Sequence, residues 1–150
     1  MHETFMREAL ALAEEGWRAG EVPVGAVVVA AGRVVGRGFN RPIAARDPTA
    51  HAEVIALRDA SAATGNYRLT GATLYVTVEP CVMCVGAMMH ARIGTLVFGA
   101  TEPKAGAVES TQRAHEHPAL NHRLVVVSGV LARECGELLR RFFREKREGR

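Results

Sequence analysis

The sequence predicts a three-layer α/β domain, a five-stranded mixed sheet covered by helices on both faces. Three observations lead there. Stretches with helical apolar spacing alternate with short β-branched runs, in the order helix, strand, strand, helix, strand, helix, strand, strand, helix. One strand–helix–strand passage is apolar almost throughout, as a buried βαβ unit requires. A chain of 150 residues buries one sizeable core but not two, so residues 1–150 are expected to form one domain.

The elements follow in order. Phe5, Ala9, Leu12, Ala13 and Trp17 recur at helical spacing over residues 3–18, and Gly20 stops the helix. Residues 22–30 are β-branched and nearly all apolar; Ala31-Gly32 turns the chain into residues 33–40, giving a hairpin with a buried first strand. Gly25 inside that strand marks a close approach by a ligand or by another backbone, or a plain packing contact. Residues 41–49 carry two prolines and read as a loop. A helix then runs from His51 to about residue 63 and ends at Thr64-Gly65-Asn66. Residues 73–78 form a strand, 81–91 an apolar helix and 95–99 a strand, with parallel pairing as the default. Residues 100–121 hold Pro103, Gly106 and Pro118 and are too long for a mere connector; part of a substrate surface is expected there. Residues 124–127 make the last strand, and Leu131, Cys135, Leu138, Leu139 and Phe142 mark a final amphipathic helix.

Composition narrows the function classes. No apolar stretch approaches the roughly 20 residues that span a bilayer, and the N-terminus lacks a basic region followed by an apolar one, so no membrane association and a cytoplasmic location are expected. Three cysteines, two of them in a Cys-x-x-Cys pair, suit a reducing compartment. The net charge of +3 is concentrated at one end. Residues 133–150 hold seven basic against four acidic side chains, and the rest of the chain balances at twelve against twelve. That basic helix either contacts phosphates or is a solvated face.

The chemistry-bearing residues are His51-Ala52-Glu53 and Glu79-Pro80-Cys81-Val82-Met83-Cys84. Two thiols and an imidazole make three metal ligands, where a structural zinc site closes with four and a catalytic one keeps its fourth position open. Cys81 and Cys84 fall on one side of a helical first turn opened by Pro80. The positive end of that helix favours thiolates. His51 and Glu53 lie about 200° apart around an ideal helix, so they reach one pocket only off its end; Asp47 and Pro48 supply an N-cap and an early proline there. Two helix starts then face a single metal. Each residue also has a plainer reading: a redox pair or structural half-site for the cysteines, a core histidine, a helix-surface carboxylate, a turn residue at Asn40, a core thiol at Cys135.

His-x-Glu followed by Pro-Cys-x-x-Cys resembles the signature of the zinc-dependent nucleobase deaminases. The resemblance narrows to the bacterial tRNA-specific adenosine deaminases through Glu21-Val22-Pro23-Val24-Gly25-Ala26, Asn40-Arg41-Pro42-Ile43, Asp47-Pro48-Thr49-Ala50-His51-Ala52-Glu53, Asn66-Tyr67-Arg68-Leu69, Asn121-His122-Arg123 and Phe142-Phe143-Arg144. It implies the cytidine-deaminase-like fold and a homodimer that converts adenosine to inosine at the wobble position of a tRNA anticodon stem-loop. Its implied cofactor is one Zn2+ per subunit on His51, Cys81 and Cys84. A zinc-held hydroxide attacks C6, and Glu53 shuttles protons. Asn40 would contact the flipped nucleotide; Glu21, Glu102, Asn121 and, on the last helix, Arg144 would help line the anticodon site. Two positions depart from the family pattern: Glu102 stands where Asp is common, and Glu109 precedes Ser110 where Gly-Ser is usual. No DNA partner is expected. The rival function is deamination of free nucleobases or nucleosides of guanine or cytosine type, and a rival of another class is a zinc-bearing binding subunit without catalysis.

Overall fold

The β-branched runs pair into one sheet in the computed structural model, which describes residues 1–149. The elements are α1 (His2–Arg18), β1 (Gly25–Ala30), β2 (Arg33–Phe39), α2 (Pro42–Ala45), α3 (Ala52–Thr64), β3 (Thr73–Val78), α4 (Val82–His90), β4 (Thr95–Ala100), a 3-10 turn at Ala114–Glu116, β5 (Val125–Val127) and α5 (Ala132–Glu148). The strand order is β2-β1-β3-β4-β5. β1 is antiparallel to both β2 and β3, whereas β3, β4 and β5 run parallel, so the sheet is mixed as expected.

Alternation along each strand sends side chains to two separate cores. Ala26, Val28, Leu74, Val76, Leu96 and Phe98 pack with Ala52, Ala56 and Leu57 of α3 and Val85 and Met88 of α4. Their neighbours Val27, Val29, Tyr75 and Val97 face the other way, onto Met6 and Ala9 of α1 and Cys135 of α5. Each face of the sheet is thus covered by a pair of helices. The approach of α1 is set by Gly25: a Cβ there would collide with the carbonyl oxygen of Ala9 and with the nitrogen of Ala13. Of the readings open for this glycine, close backbone approach is the one observed. The β1–β2 turn places both Ala31 (φ 52) and Gly32 (φ 77) in the left-handed region, the twist that a two-residue hairpin favours.

Several expected boundaries move. β1 begins at Gly25, not at residue 22, because Pro23 sits in a tight turn closed by Val24 N donating to Val22 O at 2.9 Å. Residues 41–49, expected as loop throughout, contain α2, with Pro42 at its first position. Asp47 does not cap α3. Its Oδ1 accepts instead from Thr49 N (2.9 Å) and Thr49 Oγ1 (2.7 Å), which closes a local turn. The cap position of α3 is His51, and the amide of Ala52 is satisfied from a distance, by Asn40 Oδ1 at 2.8 Å. Along α5 the basic side chains Arg140, Arg141, Arg144, Lys146 and Arg147 are exposed, while Cys135, Leu138 and Phe142 are buried. Arg150, counted with the basic tail, lies outside the described residues. Among the described residues no helix is long and apolar enough to cross a membrane.

Candidate active site

Both ligand-bearing helices begin at the same place. His51 occupies the cap position of α3 and Cys81 that of α4, each with extended backbone, and Cys84 follows in the first turn of α4. The sequence expectation of two helix starts facing one point is met. His51 Nδ1 lies 3.6 Å from Cys81 Sγ and 3.5 Å from Cys84 Sγ, and the two sulfurs are 3.8 Å apart. A tetrahedral zinc with bonds of about 2.3 Å to sulfur and about 2.0 Å to nitrogen subtends edges of about 3.8 Å (S–S) and about 3.5 Å (S–N). The three donors therefore already stand at three vertices of a zinc tetrahedron.

The electrostatics of the trio point the same way. The Cys81 thiol is drawn down to about 3 by the hydrogen bond from Cys84 and then by His51. Cys84 is pushed up, first by its hydrogen bond to Cys81 and then by burial. Two sulfurs this close cannot both ionise unaided; a divalent cation removes the conflict by taking both as thiolates. Among the described residues, His51, Cys81 and Cys84 are the group of metal-ligating side chains whose donor atoms converge.

Glu53 stands beside this trio without belonging to it. It is 4 % exposed, and burial raises its carboxyl to about 7, against hydrogen bonding and the neighbouring His51. A carboxyl poised there exists in both protonation states near neutrality. Asn40 ties the end of β2 to this centre through Ala52. Because the Ala52 N–H requires an acceptor, the Asn40 oxygen faces the helix and its Nδ2 faces away.

The other expected contact residues fall into three places. Glu21 is 1 % exposed and both its oxygens are used, accepting from Ile43 N (3.3 Å) and Ala44 N (2.8 Å), so it holds the start of α2. Glu102 lies with Pro103 across a groove of about 430 Å³ from Leu139, Arg140 and Phe143 of α5. Arg144 sits further along α5, half exposed, with Nη2 4.0 Å from Glu137 Oε1. Asn121 is on another face: its Oδ1 accepts from Arg92 at 3.4 Å, and it lines a groove of about 480 Å³ with Val82, Val85 and Met89 on the outer side of α4.

Sequence reasoning placed Glu79 at the head of the cysteine motif but gave it no role. It is 3 % exposed. Burial works against its charge, but hydrogen bonds from Ser110 and from the amides of Glu102, Glu109 and Ser110 hold it at about 2. The only signal available was an acidic residue at the end of an apolar strand, directly before Pro80.

Comparison with known proteins agrees with this geometry. The sequence model of the cytidine and deoxycytidylate deaminase zinc-binding region matches residues 1–100. The chain is 51% identical over 147 residues to the tRNA-specific adenosine deaminase of Haemophilus influenzae, covering 97% of this chain and 85% of that protein. With the Bacillus subtilis tRNA-specific adenosine deaminase it shares 44% over 146 residues, covering 97% and 91%. A solved structure from work on A-to-I editing by tRNA:A34 deaminases superposes with a TM-score of 0.88 at 47% identity, over 91% of this chain and 99% of that one. The guanine deaminase of Nitrosomonas europaea superposes at 0.79 with 27% identity, over 93% and 83%. On relatives about half identical across nearly its whole length, the chain belongs to the zinc-binding cytidine and deoxycytidylate deaminase family and, within it, to the tRNA-specific adenosine deaminases.

Proposed function

We propose that the chain is a cytoplasmic homodimer that deaminates adenosine to inosine at the wobble position of a tRNA anticodon, with one Zn2+ per subunit on His51, Cys81 and Cys84 and with Glu53 as the proton carrier. The observation that carries the chemistry is a three-cornered donor set with zinc edge lengths beside a buried, unligated carboxyl. Zinc held there supplies Lewis acidity that brings the pKa of a bound water to about 7.

Everything else is done by the chain. A Glu53 carboxylate oxygen accepts a proton from the attacking water and delivers it to N1 of the adenine. Glu53 then takes the second proton from the new C6 hydroxyl and passes it to the C6 amino group; the C6–N bond breaks as the C6 carbonyl forms, and water and adenosine become inosine and ammonia. Burial pushes the Glu53 carboxyl upward, which favours its taking up a proton as well as releasing one, so that it acts as base and as acid in turn. The adenine must leave its stack to reach this centre, which costs least from a loop.

The choice of RNA over a free base rests on what surrounds the centre, because a guanine deaminase shares the fold. The exposed arginines and lysine along α5 offer cationic contacts to the phosphates of a loop substrate. Dimerisation is supported by the outer face of α4, where the exposed Val82 (55 %) and Tyr67 (67 %) border a groove of mixed apolar and polar lining. A panel of tRNAs, free bases and nucleosides, read for inosine by mass spectrometry, decides between the substrates. Removal of residues 140–150 should strongly impair tRNA turnover, and salt should weaken binding through counterion release. Equal turnover of free bases with no salt effect would leave the free-base reading in its place. Sedimentation at micromolar protein tests the dimer.

A further inference from the structure

Glu79 directly follows β3, two residues ahead of Cys81, and the reaction outlined above gives it no task. Its side chain is buried but surrounded by donors. Oε1 accepts from Glu102 N at 3.0 Å and from the Ser110 hydroxyl. Oε2 accepts from Val108 N (3.0 Å), Glu109 N (2.7 Å) and Ser110 N (2.9 Å). All five donors belong to residues 102–110, and four of them are main-chain amides. A carboxylate offers about four lone-pair sites, so this one is saturated.

The loop is shaped to close on it. A Cβ at Gly106 would fall onto the Glu79 carboxyl group, and glycine is what leaves room for it. Main-chain bonds strap the same loop to the chain on either side: Glu79 N donates to Ala100 O and Ala107 N donates to Pro80 O, both at 2.8 Å. An apolar residue would fill this space with less desolvation, but it could not fix the direction of four amides and a hydroxyl. Residues 102–110 contain no helix or strand; beside the burial of Ala107 and Val108 and the bond from Ala107 to Pro80, Glu79 is the acceptor that gathers four of their amides. The loop also carries Glu102, which lines the groove beside α5 together with Arg140 and Phe143.

The geometry points to Glu79 as a positioning residue for the RNA substrate: it locks the 102–110 loop to the strand end that leads into Cys81, so that the wall bearing Glu102 and the metal centre form one unit before RNA arrives. This rests on the reading of the chain as a tRNA adenosine deaminase. Because the carboxylate touches neither the metal donors nor the base, its effect falls on substrate binding more than on the chemical step.

The test uses the zinc-loaded enzyme and Glu79→Gln, which keeps length and volume but turns an NH2 toward N–H donors whichever way it flips. Amide hydrogen exchange without RNA should quicken at least tenfold at Glu102, Val108, Glu109 and Ser110, with β1 and β3 unchanged. KM for an anticodon stem-loop should rise at least tenfold, while kcat per bound zinc falls less than threefold. Should Glu79→Gln fail to fold, Ser110→Ala removes a single bond and should shift KM and the local exchange in the same direction by about threefold. Uniform quickening of exchange across the sheet, or a loss of kcat at unchanged KM, overturns the positioning role. If the unmodified enzyme forms no inosine in any tRNA, the substrate reading fails by itself, while the exchange measurement still decides whether Glu79 holds the loop.

Discussion

Replacing Glu53 with glutamine should abolish turnover while making the protein more stable, two effects that a surface or ligand residue would not combine. Gln has the same volume and fits a side chain that is 4 % exposed, so packing is preserved. It cannot take the proton from water or return one to N1 and the amino group. A single positioned acid or base contributes about 10²–10⁴-fold, and Glu53 serves several transfers, so a loss of at least about 10³-fold in kcat is expected, about 4 kcal/mol of barrier. Stability moves the other way. Burial raises the folded carboxyl to about 7 from 4.5, so ionisation opposes folding as pH rises between those values. The sign is that of any raised carboxyl: the group is harmless below the unfolded pKa, and its stability is lost as pH climbs through the folded one. Glutamine removes that loss, so the chelated variant should unfold at higher urea than the chelated unmodified protein at pH 8, with the gap closing by pH 4. Zinc content, read by atomic emission, should stay at one per subunit because Glu53 is outside the donor trio. Ammonia release at an undiminished rate, loss of zinc, or a lowered urea midpoint at pH 8 would each refute this account of the residue.

Other perturbations probe the frame around the site. Gly25→Ala should destabilise by about 3 kcal/mol or fail to fold, because the new methyl meets the α1 backbone at Ala9 rather than a movable side chain; a urea midpoint within error of the parent would contradict the packing described. Ala31→Asn should stabilise by about 0.5–1 kcal/mol, since Ala31 is held at φ 52 where asparagine is more at ease, and calorimetry should show a Tm gain of about 1–4 °C. Glu79 is held at about 2 against an ordinary 4.5, so its contribution is present above pH 4.5 and lost as pH falls toward 2. Allowing for solvent screening, about 2 kcal/mol should disappear between pH 5 and pH 2 in the chelated unmodified protein and not in Glu79→Gln; parallel urea curves would speak against it.

Most of the architecture was legible because periodicity reports burial directly. The two cores follow from alternate residues of the same strands, Val27 and Val29 against Ala26 and Val28, and no long-range information is needed to sort them. The metal donors were legible for a related reason: Cys81 and Cys84 share a helical first turn, so local spacing already contains their geometry. What stayed hidden depends on partners far apart in sequence. α2 is four residues long, too short to show a period, and is held by Glu21 from 22 residues upstream. The cap of α3 was assigned to Asp47 because asparagine or aspartate just before a helix is a local signal, whereas the amide of Ala52 is in fact met by Asn40, 12 residues away. Glu79 reaches residues 23 to 31 positions downstream, and nothing within its own strand announces that.

These three hidden contacts share a form, and it bears on how one centre serves different substrates. In each, a polar side chain just outside the metal trio takes up backbone amides of a neighbouring segment: Glu21 those of α2, Asn40 that of α3, Glu79 those of the 102–110 loop. The zinc donors themselves sit on two helix starts packed against the sheet, where a shift would disturb the core. The segments around them add directional bonds to whatever apolar contact they have: Ala107 and Val108 of the loop are buried in the core with α3 and α4, and the bonds to Glu79 fix how the rest of the loop runs. Changing a loop while keeping its acceptor therefore alters what the site admits without altering the chemistry, which is consistent with a guanine deaminase sharing this fold at 27% identity. On that argument Glu102 and Glu109 are expected to bear on RNA binding. Glu102→Asp and Glu109→Gly, which bring in the family's usual residues, should change KM for individual anticodons and leave zinc content and the pH profile of kcat where they are.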